Sequence, residues 1–92
     1  MEPRQLTTSG ELREVHTNGV GFVYNDTWGY VHKSSCWRVP LMLPYSSPRP
    51  PSVDEGDTRG YKLFWERLED ALEWVPRNRD GFLPKRCSNC NP

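Results

Sequence analysis

His32 and Cys36 stand four positions apart, Cys87 and Cys90 three apart, and about 50 residues separate the two pairs. The chain has three cysteines in all, so the two pairs account for every one. Two such residues in one turn can aim both donor atoms into the same concavity, and a tetrahedral ion such as zinc takes four nitrogen or sulfur donors. If both pairs serve one ion, the region before Cys36 must fold back onto the C-terminal segment. No other feature restricts the available folds as strongly. One imidazole and three thiols fill the coordination shell and leave no stray thiol.

Other readings of these residues stay open at this level. Cys87-Ser88-Asn89-Cys90 has the spacing of a redox pair, but such pairs draw their low thiol pKa from a following helix, and only Asn91 and Pro92 follow here. Cys36 can be an ordinary buried thiol and His32 a core histidine. His16 is an alternative fourth ligand, without a cysteine near it in sequence.

A metal staple matters because the apolar supply is thin. Hydrophobic residues make up 35% of 92, against a globular norm of about 45–50% with glycine counted. Nine prolines and seven glycines dilute the core further. A chain of this length makes one domain and buries only about 60% of its unfolded surface, so a cross-link is expected to carry part of the stability. Four tryptophans offset the shortage in part. An odd cysteine count does not suit a secreted disulfide scaffold. No apolar run approaches the roughly 18 residues of a spanning helix, and the N-terminal stretch lacks the apolar core of a signal peptide. The expectation is a cytoplasmic protein with reduced thiols and no membrane contact. Net charge is zero, so no global basic field draws the chain onto nucleic acid. Arg77, Arg79, Lys85 and Arg86 nevertheless form a local basic surplus near the C-terminus.

Along the chain, residues 1–11 are polar and read as a flexible arm before a single domain over 12–92. From Val15 to Val31, β-branched and aromatic residues alternate with Asn18-Gly19 and Asn25-Asp26 turn signals. Two or three short antiparallel strands are predicted there, the clearest hairpin joining Gly21–Tyr24 to Gly29–His32. Residues 39–60, with five prolines, read as one long loop. Its Pro48-Arg49-Pro50-Pro51 lacks the basic flank of a docking peptide. A strand over Lys62–Trp65 and a helix over Glu66–Val75 follow, with Leu68, Ala71, Leu72 and Val75 on one face and Pro76 as its stop. Trp65 and Trp74 fit packing better than base stacking. The fold class expected is α+β: a zinc-stapled antiparallel sheet with one main helix.

Tyr30-Val31-His32-Lys-Ser-Ser-Cys36-Trp37, Leu68-Glu-Asp-Ala71-Leu72 and Phe82-Leu-Pro84-Lys-Arg86-Cys87-Ser-Asn-Cys90-Asn-Pro92 together resemble the N-terminal metal-binding domain of Ada-type DNA repair regulators. They look equally like small His/Cys zinc modules of actinobacteria and their phages. The likeness covers residues 28–37 and 64–92, about half the chain; residues 1–27 and the proline loop have no counterpart in it. It implies Zn²⁺ held by His32, Cys36, Cys87 and Cys90. It does not carry the repair chemistry, because the methyl-accepting cysteine of that family is replaced here by His32, and an imidazole cannot fill that role.

Four protein ligands leave no position for a catalytic water, so no enzyme activity and no small-molecule substrate are expected. The function expected is a structural zinc module in nucleic-acid binding or a DNA-associated complex, with Arg77, Arg79, Lys85, Arg86 and Trp37 as contact residues. The alternative is a small adaptor or phage-type effector that engages a host protein through the proline loop and an aromatic surface.

Overall fold

The computed structural model describes residues 2–26, 28–42 and 62–92. Most of the proline loop expected at 39–60 lies outside the described residues; of it, Val39–Leu41 forms a short 3₁₀ turn. The remainder is a small α+β domain. Strand β1 (Arg4–Leu6) leads into helix α1 (Ser9–Asn18), followed by the hairpin β2 (Phe22–Asn25) and β3 (Tyr30–Lys33). After the loop come β4 (Lys62–Trp65), helix α2 (Leu68–Asn78) and the two-residue strand β5 (Lys85–Arg86). The five strands form one mixed sheet in the order β1-β4-β2-β3-β5. All pairings are antiparallel except β3 with β5.

Alternation along the strands sorts side chains to two faces. Val23 and Phe64 join Leu6, Leu12, Val15 and Val39 in one cluster, under α1 and the 3₁₀ turn. Tyr24, Val31, Leu63 and Trp65 join Ala71 and Val75 of α2 in the other. Trp74 packs onto this second cluster, its ring 5.6 Å from that of Trp65 and tilted by 55°. Trp65 is therefore core and Trp74 half-buried against it, in line with the packing reading. His32, between Val31 and Lys33 and opposite Val23, falls on the α1 face.

The expected hairpin forms within one residue of its predicted ends, and the strand at Lys62–Trp65 forms as predicted. Three expectations fail. Residues 1–11 are not an arm. Leu6 is wholly buried and β1 pairs with β4 in the register Leu6↔Lys62. Thr8 caps α1: its hydroxyl accepts from Glu11 N at 3.1 Å, and the Glu11 carboxylate accepts from Thr8 N at 3.1 Å. This reciprocal box satisfies two orphan donors of the first turn. Thr7 N also donates to Glu11, and that bond leads in holding the Glu11 carboxyl below its ordinary range. Secondly, Val15 and His16 belong to α1 rather than to a strand, and Gly19 closes that helix in the left-handed conformation. Thirdly, α2 begins at Leu68 and runs past Pro76 to Asn78. Proline forfeits the bond to the carbonyl of Leu72, but carbonyls near the helix end find other donors. Asn78 Nδ2 donates to Trp74 O at 2.8 Å and Gly81 N to Pro76 O at 2.8 Å.

The N-terminal segment is thus an integral part of the core. Leu6→Ala is expected to cost about 2–5 kcal/mol and Thr8→Ala about 1 kcal/mol, measured by urea unfolding. A dispensable arm would give no change in either variant.

Candidate metal centre

Ligand placement begins with β3, whose pairing to β2 fixes His32 opposite Val23. The chain then turns sharply: Ser34 N donates to Gly21 O at 2.9 Å and Cys36 N to Lys33 O at 2.9 Å. That turn returns Cys36 toward the imidazole, and its Sγ lies 3.9 Å from His32 Nδ1. The second pair arrives along the outer edge of the sheet. Lys85 N donates to Gly29 O at 2.8 Å and Cys87 N to Val31 O at 3.0 Å, the parallel ladder of β5 on β3. This register places Cys87 beside His32. A tight turn, closed by Asn91 N to Cys87 O at 2.9 Å, then brings Cys90 round.

Gly29 permits this approach. It adopts φ 79°, and a Cβ there would stand 2.6 Å from the Phe82 ring. Phe82 packs against the bare backbone of the hairpin turn, and the segment it anchors carries β5 and both terminal cysteines.

The four donor atoms lie within 4.8 Å of one another. A tetrahedral ion bonded at about 2.3 Å to sulfur and about 2.0–2.1 Å to nitrogen sets neighbouring donors about 3.5–3.8 Å apart. The cluster therefore needs only a small contraction to close on a cation. His32, Cys36 and Cys87 are about 5% exposed or less, and Cys90 is half-buried. No carboxylate belongs to the group. His16, the alternative ligand, stands apart from it on α1, with Nδ1 3.1 Å from Ser34 O.

The electrostatics of the cluster call for a positive ion. Burial, then the adjacent Arg38, lowers the His32 pKa to about 4, which keeps the imidazole neutral as a ligand must be. Burial, with the neighbouring thiols of Cys36 and Cys87, pushes Cys90 up to about 12 despite the bond from Lys33 N to its sulfur at 3.3 Å. Burial also works against the Cys87 thiolate, but the backbone N–H groups of Asn89 and Cys90 outweigh it and lower that pKa. The Cys90 thiol, beside two others, therefore resists ionising. A divalent cation reverses that balance and deprotonates a coordinating thiol outright. Beyond the donors, Asn89 with its amide oriented to accept takes two bonds from Arg38, at 3.0 and 3.2 Å. This link between the two ligand turns has no signature in the sequence, because it joins residues 51 positions apart.

The basic residues divide. Arg79 is part of the fold: it forms a forked pair with Asp26, whose side chain is 2% exposed, at 2.8 Å and 3.1 Å. Arg77 is paired with Glu73 on α2 at 3.3 Å. Lys85 lies over the Tyr30 ring at 5.4 Å, and Arg86 donates to Pro92 O. Trp37 is exposed, with Arg38 over its ring at 5.0 Å. Lys85, Arg86 and Trp37 thus lie near the metal ligands, whereas Arg77 and Arg79 belong to α2 and its C-terminal end.

Compared with known proteins, the chain matches no family model, no curated protein and no solved structure. Among the described residues no helix is long and apolar enough to cross a membrane. The class of protein defined by the fold and the cluster is a small α+β domain with a His/Cys₃ group placed to hold a metal ion.

Cobalt(II) added to the reduced apo-protein is expected to give tetrahedral ligand-field bands with thiolate charge transfer at one ion per chain. Cys36→Ser, Cys87→Ser and His32→Ala should each weaken or alter that spectrum, while His16→Ala leaves it intact. Arg79→Ala is expected to cost about 2 kcal/mol in thermal or urea unfolding, because it removes the forked bonds to the buried Asp26 carboxylate and leaves Lys62 as its counter-charge. A pure surface role would give no loss of stability.

Proposed function

We propose that this chain is a structural zinc module that presents a basic and aromatic surface to nucleic acid or a nucleic-acid-associated complex. The observation that carries the metal half is the convergence of His32, Cys36, Cys87 and Cys90 within 4.8 Å. A mixed nitrogen–sulfur tetrahedron favours zinc among the common divalent ions. Four protein donors supply a complete shell, which suits a structural ion and leaves no place for an activated water. The acidic residues Glu69, Asp70 and Glu73 lie on α2, and among the described residues no carboxylate joins the cluster. The Ada-type resemblance supports the same ligand set, and His32 in the acceptor position argues against alkyl transfer.

Zinc binding in finger peptides releases roughly 10–16 kcal/mol, as much as the roughly 5–15 kcal/mol net stability of an entire domain. With a core this thin, the ion decides whether the chain folds. Thiolate ligands require a reducing compartment, which supports a cytoplasmic setting.

For the surface half, the support is charge segregation. Residues 28–42 and 82–92, which surround the ligands, contain Lys33, Arg38, Lys85 and Arg86 and no Asp or Glu. A second reading, a protein-binding adaptor, is favoured by the exposure of Val20, Leu41 and Leu83, apolar side chains of a kind protein partners cover.

Exhaustive chelation is expected to unfold the protein cooperatively, with loss of far-ultraviolet circular dichroism and a shift of tryptophan emission; unchanged spectra after verified metal removal would overturn the structural role. A gel shift at two salt concentrations separates the two surfaces. Phosphate contact weakens steeply with salt, and apolar docking to a protein captured from lysate responds little.

A further inference from the structure

A hollow of about 350 Å³ opens beside the candidate metal centre. Trp28, Tyr30, Arg38, Ser88 and Asn89 line it, and it reaches the ligands His32 and Cys87. Its lining has one full positive charge and no carboxylate. Trp28 is 68% exposed, which is costly for a side chain of that size on a chain short of apolar residues. It also lines a second hollow of about 220 Å³, with Phe82 and Lys85. The one carboxylate there, Asp26, is held by Arg79. Exposed aromatic side chains thus lie among Arg38 and Lys85 on the β3–β5 side of the sheet.

We propose that this cleft is a binding site for single-stranded nucleic acid, with bases stacked on Trp28 and Tyr30 and the phosphate backbone neutralised by Arg38 and Lys85. The proposal rests on the nucleic-acid reading above and narrows it to one polymer form and one surface. Single strands are bound where aromatic faces meet a basic groove, because every base has a π-face to stack and every nucleotide brings a phosphate. The volume falls within the roughly 300–1,000 Å³ of small-ligand sites. Hydroxyl and amide groups from Ser88 and Asn89 stand where base edges can meet them.

A paired duplex fits the molecule poorly. Its stacked bases present no faces to Trp28 and Tyr30. Groove reading by a helix needs a basic or neutral helix face. α2 carries Glu69, Asp70 and Glu73, with Glu66 just before it, and α1 carries Glu11 and Glu14 against Arg13. Neither helix suits a phosphate-lined groove.

The zinc-loaded protein is titrated with an oligothymidylate of about eight nucleotides and, separately, with a short duplex, following tryptophan fluorescence at two salt concentrations. The single strand is expected to quench emission and bind more tightly than the duplex. Trp28→Ala should weaken it about 10-fold or more, with Trp28→Phe restoring most of the affinity. Arg38→Gln should weaken it and lower the salt slope by about 0.7. Arg13→Gln, an equal loss of charge on α1, should change affinity less than about twofold. Zinc content and circular dichroism establish that each variant is folded, and Lys85→Gln, which leaves the Arg38–Asn89 link intact, should also weaken single-strand binding and tests the cleft should Trp28→Ala or Arg38→Gln fail that control. Single-strand binding unaffected by the Trp28 and Arg38 changes overturns the cleft while leaving the nucleic-acid reading in place. Tighter binding of the duplex has the same meaning. No binding of either polymer at the lower salt overturns both and leaves the adaptor.

Discussion

The whole C-terminal half of the candidate centre is held to the sheet by a strand two residues long. β5 meets β3 through Lys85 N to Gly29 O and Cys87 N to Val31 O. Each such bond nets about 0.5–1.5 kcal/mol, while fixing the backbone costs about 1–2 kcal/mol per residue. Residues 82–92 cannot stay ordered on those terms alone. Phe82 against Gly29 and the buried Cys87 help, but the segment has no other large side chain in either core cluster. A cation held at once by the end of β3 and the Cys87–Cys90 turn, as proposed, would supply the missing constraint. It would act where the sheet is weakest.

The candidate ligands also form part of the core on one side. Cys36 and Cys87 belong to the cluster formed by Leu6, Leu12, Val15, Val23 and Val39, and Cys90 packs against it. The α2 side, by contrast, is filled by Tyr24, Trp65 and aliphatic residues, and needs no staple. The asymmetry follows from the sequence: α2 adds the partly buried Leu68 and Trp74 to the buried Ala71 and Val75, whereas α1 brings only Leu12 and Val15 to its cluster. The thin helix lies on the face that holds the ligands.

That asymmetry also explains what was legible. The ligand pairs, the hairpin and β4 announce themselves through residue chemistry and alternation. α1 does not, since two apolar residues in ten, against five in the eleven of α2, set no visible period. Its signal was local, the Thr8-x-x-Glu11 box, in a stretch whose polarity resembles an arm. β1 is three residues with one buried side chain, too short for any pattern, and exists because β4 offers an edge. Pro76 misleads for another reason: its rule concerns a lost bond, and carbonyls around it are served by Asn78 and Gly81. Arg79 looked like part of a basic surface because its partner, Asp26, is 53 residues away. Long-range pairing of this kind leaves no trace in a linear reading.

Zero net charge hides a dipole. Glu11, Glu14, Glu69, Asp70 and Glu73 lie on the helices, while residues 28–42 and 82–92 around the ligands hold Lys33, Arg38, Lys85 and Arg86 and no acid, so the absence of a global field says little about the potential at one face. Nearly every residue of that face stands within a few positions of a ligand: Trp28 and Tyr30 before His32, Arg38 after Cys36, Lys85 and Arg86 before Cys87. On the proposed reading, the ion that holds β5 also assembles the surface proposed to bind. Binding at that surface and binding of the metal are then thermodynamically linked, and by reciprocity each strengthens the other. Such a module needs no moving part to respond to metal supply, because its recognition surface exists only while its staple does.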